Sequence, residues 1–164
     1  MKIAELLDGE LGTPRTTDAL NALLRLAKVA GAGGLKIVAT PASAGSSAAA
    51  LNAAAAAAFT KTVVLQLQDA AGVRQTWYNG ADVTLTPTET VADVDVGVPV
   101  VTGGNVPAFV DGQATVVLTY DTNAGATKTY VAAETVGFTT ACANILGRAV
   151  TVGAAANFVD TLVA

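Results

Sequence analysis

The residues able to do chemistry in this chain are few, and the commonest one is missing. Among 164 residues there is no histidine. That removes the usual general base, the Ser–His and Cys–His nucleophile pairs and the commonest zinc ligand. Three serines, Ser43, Ser46 and Ser47, sit in an Ala/Gly-rich stretch and not at a strand–turn–helix elbow. The single cysteine, Cys142, lies among Ala and Thr with no base nearby in sequence, and reads as a small buried apolar residue. One cysteine allows no intrachain disulfide and no thiolate metal site. Glu89, Asp93 and Asp95 form the one acidic cluster, which could in principle bind Ca²⁺ or supply an acid–base pair. The segment VADVDVGV lacks the dense oxygen-ligand spacing of a calcium loop, so solvated carboxylates are expected there. Trp77, Tyr78, Tyr120 and Tyr130 could form an aromatic strip for carbohydrate, but with so few large residues Trp77 is expected to anchor a core. Gly31-Ala32-Gly33-Gly34 follows a helical pattern, the wrong order for a dinucleotide fold. No enzyme, cofactor or metal centre is expected from this inventory.

Composition points the same way. Hydrophobic residues make up 52% and charged residues only 13%, against about a quarter charged in ordinary globular domains. A surface this poor in charge suits a protein covered by copies of itself or by a larger assembly. Residues 1–56 hold five basic and four acidic residues, and residues 57–164 hold four and nine, which together give the net −4. The acidic C-terminal part argues against nucleic-acid binding, which needs clustered Lys and Arg. Glu5, Asp8 and Glu10 occupy the place of a signal peptide's apolar core, so no secretory signal is expected. The alanine run is too weakly hydrophobic, and too interrupted by Ser46, Ser47 and Asn52, to enter a membrane.

Helical spacing governs the front of the chain. Lys2–Leu11 is a short helix pattern stopped by Gly12 and Pro14. A second helix starts at a Thr16 or Thr17 cap, carries Asp18 in its first turn and closes at Gly31. Leu20, Leu23, Leu24, Leu26 and Ala27 form one broad apolar face, extended by Ala22 and Val29 to more than half the circumference. Such a helix must be covered on more than one side, either by the rest of the chain or, as favoured here, by another subunit. Leu35–Thr40 reads as a short strand. Ala42–Ser47 is expected to be a flexible joint and Ser47 to cap a packed alanine helix reaching Ala58.

From Phe59 the period becomes two. Strands are expected over 59–68, 73–78, 82–87, 113–120, 126–132 and 134–140, with weaker ones between 88 and 104 and in the tail, and with turns at Asp69–Gly72, Asn79-Gly80 and Asp111-Gly112. Strands at this spacing indicate an antiparallel β-sandwich. The expected division is 1–45 as a helical attachment and oligomerisation segment, 46–58 as an Ala-rich connector and 59–164 as the sandwich.

The strand order from Phe59 onward resembles bacterial and phage immunoglobulin-like modules. Phe109, Val110, Gly112, Ala114, Thr115 and Val116 match one characteristic strand, and Ala133, Glu134, Thr135 and Val136 match a later segment. Ile145, Leu146, Gly147 and Val150, with the closing Phe158–Leu162, are similar to the ends of tailed-phage virion accessory proteins. The resemblance implies a mainly β, immunoglobulin-like fold with a short helical N-terminal segment. It implies a capsid decoration or head-fibre subunit in the virion, made in the host cytoplasm. Its partners would be the major capsid protein and itself, with a trimer favoured, and Leu20, Leu23, Leu24, Leu26 and Ala27 would form the assembly interface. The alternative is a tail-associated or carbohydrate-binding adhesion module working through loops near Asn79-Gly80 and 102–105.

Overall fold

The computed structural model describes residues 18, 20, 21, 23, 24, 27, 34–53, 59–90, 98–120 and 130–164. The chain divides into two compact units, Met1–Gly33 and Gly34–Ala164. In the first, Asp18, Leu20, Asn21, Leu23, Leu24 and Ala27 are helical. The expected helix Lys2–Leu11 lies outside the described residues.

The second unit is mainly β, with two mixed sheets. The strands are β1 (Leu35–Thr40), β2 (Ser43–Ala44), β3 (Thr60–Asp69), β4 (Thr84–Thr90), β5 (Val100–Thr102), β6 (Gln113–Thr119), β7 (Thr135–Ala141), β8 (Asn144–Ile145), β9 (Arg148–Thr151) and β10 (Phe158–Thr161). A six-stranded sheet runs β5-β6-β3-β1-β9-β8 and a four-stranded sheet runs β2-β10-β7-β4. Period-two burial dictates the pairing. In β3, Val63, Leu65 and Leu67 are buried while Val64, Gln66 and Gln68 are only partly covered. Ala114, Val116 and Leu118 of β6 follow the same rule. One residue of slip would turn each of these sets to solvent.

The structure corrects the sequence reading in several places. The sheets are not purely antiparallel: β1 runs parallel to β9, and β2 parallel to β10. Both early strands lie beside strands from the far end of the unit, a relation that local spacing does not reveal. Leu35–Thr40, grouped by sequence with the 1–45 attachment segment, pairs with β3 along its whole length, from Leu35 opposite Asp69 to Thr40 opposite Val64. Burying Leu35, Ile37 and Ala39 requires that sheet, so the strand belongs with the residues placed at 59–164. Val73–Tyr78 is not a strand but an irregular segment with a single bridge from Arg74 to Gln68. The expected 82–87 strand is shifted to Thr84–Thr90. Trp77 is half-buried, and the large buried groups are Tyr120, Tyr130, Phe109, Phe138 and Phe158. Phe138 and Phe158 pack at 6.0 Å between ring centroids, and Phe59 packs on Tyr120 at 5.4 Å.

The segment 42–47, expected to be a flexible joint, is tied to the last strand by backbone hydrogen bonds. Val159 donates its N–H to the Ala42 carbonyl, Val163 to that of Ser46, and Ala48 to that of Val163, at 2.8 to 3.1 Å. Ser47 caps the helix Ala48–Ala53, its Oγ accepting from the Ala50 N–H at 3.2 Å. Ala48 and Leu51 are the buried residues of that helix. Residues 54–58, the rest of the expected alanine helix, lie outside the described residues.

Candidate functional site

Of the five residues assigned to an assembly interface, four are described. Leu20 is half-buried, Leu23 and Leu24 are 54% and 43% exposed, and Ala27 is exposed. At about 100° per residue, Leu20, Leu23, Leu24 and Ala27 fall within one narrow stripe of the helix. Leu26 lies outside the described residues.

The most constrained polar group was missed by sequence reasoning. Asp160 is fully buried on the inward side of β10, between Phe158 and Leu162. Its Oδ1 accepts from the Ser46 backbone N–H at 2.8 Å, and its Oδ2 accepts from the Ser46 hydroxyl and from the Tyr120 hydroxyl at 2.6 Å. A buried carboxylate is tolerable only when donors surround it in this way. The signal was in the sequence: Phe158, Asp160 and Leu162 share one period-two face, which places a carboxylate where the pattern demands an apolar residue. Burial, then the Asp160 hydrogen bond, raise the Tyr120 phenol far above its ordinary value. Beside this cluster Asn52 copies a strand neighbour: its amide nitrogen donates to the Tyr130 carbonyl at 2.9 Å and its oxygen accepts from the Tyr130 N–H at 2.8 Å.

The arrangement binds three chain segments together, those of Ser46, Tyr120 and Asp160. Ser46 is buried and its hydroxyl donates to the Asp160 carboxylate. Of the acidic cluster, Asp93 and Asp95 lie outside the described residues, while Glu89 is half-buried on β4. Glu134, also overlooked as a polar core group, is buried. Its Oε2 accepts from the Val131 N–H at 3.0 Å, and its Oε1 has no hydrogen-bond partner among the described residues. Among the described residues no group of three or more His, Cys, Asp or Glu could hold a metal ion.

Cys142 is half-buried rather than buried, with its thiol 3.7 Å from the Asn144 carbonyl. Burial first, and the Asp82 carboxylate second, push the thiol pKa up, away from nucleophilic use. Tyr78 donates to Asp82 at 3.0 Å and is pushed up to about 12, mainly by burial. Trp77 donates its indole N–H to Gln75 at 2.8 Å, which ties it to its own loop. A groove of about 220 Å³, lined by Val101, Val106, Pro107 and Val116 among others, opens beside β5 and carries no charged lining residue. No helix among the described residues is long and apolar enough to cross a membrane. No protein-family model matches the chain, and no curated protein matches it.

Proposed function

We propose that this chain is a non-enzymatic structural subunit of a phage virion, a capsid decoration or head-fibre protein. In this reading the two sheets form an immunoglobulin-like β-sandwich and the first unit attaches it to the head shell. The observation that carries the proposal is the exposed pair Leu23 and Leu24 on the helical stripe of a unit distinct from the β unit. An apolar stripe left open on a helix calls for a covering partner. A sister subunit, in a trimer, and the major capsid protein are the partners assigned to it. The low charge of the whole chain and the absence of histidine support a role of contact rather than chemistry.

The test has two arms, sedimentation of the purified protein and pelleting with empty phage heads. The parent is expected to sediment as a defined oligomer and to pellet with heads, and the Leu23→Asp/Leu24→Asp variant to lose pelleting and the defined oligomer, keeping only weak, concentration-dependent association. A parent that is monomeric and stays in the supernatant, or a variant that assembles like the parent, rejects the reading.

A further inference from the structure

The outer face of the four-stranded sheet is built mostly from threonine. Along β4 the outward residues are Thr84, Thr86, Thr88 and Thr90, and the neighbouring strands add Thr139 and Thr161. The register sets them in rows: Thr86 lies opposite Thr139, Thr90 opposite Thr135, and Thr135 opposite Thr161. Val159 and Ser43, in one row with Gly137 of β7, and Ala141 opposite Thr84 complete the face. No Asp, Glu, Lys or Arg stands at an outward position of these four strands.

A solvated surface normally carries about a quarter to a third of charged residues of both signs. This one lacks them, in a chain whose formal charge is −4. Threonine also loses little rotamer freedom when covered, because its branched Cβ already restricts it.

We infer that this face is a self-association surface, on which a second copy of the chain packs sheet against sheet. The choice of occupant follows from charge and hydrogen bonding. Two copies of an acidic chain meet here without any like-charge pair, whereas a basic or acidic partner finds nothing to pair with. A purely apolar partner would bury hydroxyls without acceptors. Threonine against threonine satisfies both halves, since each hydroxyl donates and accepts and a twofold contact sets the same face against itself.

The face is small. Strands of seven, seven, four and two residues, at about 3.4 Å per residue and about 4.8 Å apart, give a footprint of roughly 330 Å². A stable complex buries about 800 Å² per partner. The contact is therefore weak alone and becomes effective when copies are already held side by side. In that respect it rests on the oligomeric role proposed above.

Sedimentation velocity of the full chain over a wide concentration range tests it without phage heads. Working in the Leu23→Asp/Leu24→Asp background separates this contact from the helix. In that background residual association is expected, insensitive to salt because no charge takes part. Thr86→Lys/Thr139→Lys should weaken it at least about tenfold. Thr62→Lys/Thr115→Lys, on the outer face of the other sheet, should leave it unchanged. If thermal unfolding shows that the paired lysines disturb folding, the single Thr139→Lys variant takes their place. Loss in the control variant, persistence in the Thr139 variants, a strong salt dependence, or no association at all each overturns the inference. Failure of the parent to pellet with heads leaves it standing and counts only against the attachment role.

Discussion

Ser46 and Asp160 stand 114 positions apart, and Ser46 gives both its backbone N–H and its hydroxyl to the Asp160 carboxylate. Tyr120 donates to the same carboxylate from a third segment. Asp160→Ala leaves these buried donors without an acceptor and is expected to cost about 3–5 kcal/mol. Tyr120→Phe keeps the ring and removes one hydrogen bond, for about 1–2 kcal/mol. Urea unfolding of both single variants and the double variant checks this. The double variant should lose less than the sum, because the two changes share one interaction.

Alkaline pH acts through Tyr78 and Tyr120. Both phenols are held above the ordinary value of 10.0, Tyr78 at about 12 and Tyr120 higher, chiefly by burial. The folded protein thus keeps protons that the unfolded chain releases. Their contribution to stability is complete below pH 10 and is lost as the pH rises towards 12, by at most about 1.4 kcal/mol per pH unit for each group. Phenolate absorbance should stay suppressed for both until the protein unfolds. Ordinary titration of either one near pH 10 in the folded state contradicts the assignment.

Gly112 has φ near 71° and follows Asp111 at 49°, the two left-handed residues of a tight hairpin turn. A Cβ at Gly112 would run into the Gln75 carbonyl oxygen. Gly112→Ala therefore meets both backbone strain and a clash, and should cost at least about 2 kcal/mol. Asp111→Gly relieves strain and should be close to neutral, so the two substitutions at adjacent positions should shift the urea midpoint very differently.

Cys142 should alkylate slowly at neutral pH and faster as the pH rises, because burial and the Asp82 carboxylate hold the thiol protonated. Asp82→Asn removes the second cause and should raise the rate at a given pH. Mass spectrometry of iodoacetamide-treated protein reads this directly, and an unchanged rate in the variant removes Asp82 from the account.

The parts of the fold that could be read in the sequence are those where burial alternates locally. Val63, Leu65 and Leu67 reveal β3, and Ala114, Val116 and Leu118 reveal β6, because each strand has one dry and one wet side. The Asp111-Gly112 turn was legible from its residue types alone. Val73–Tyr78 misled because β-favouring residues sit there while Gln75, not an apolar group, is among those turned inward. Leu35–Thr40 looked isolated between glycines and Pro41, since its partners begin at Val64 and at Val150. Asp160 was passed over because an acid in a short terminal strand reads as surface until the sheet around it is known. Leu20, Leu23, Leu24 and Ala27 could be grouped by helical period alone, but no local pattern names what covers them.

The parallel pairings of β1 with β9 and β2 with β10 join residues 35–44 to residues 148–160. Synthesis runs from one end, so the earliest strands of the β unit must wait unpaired on those sides until almost the whole unit has been made. The ribosome thus releases Met1–Gly33, with Leu23 and Leu24, well before the sheets can close. In the assembly role proposed above, the contact surface of the first unit is therefore made before the β unit can close.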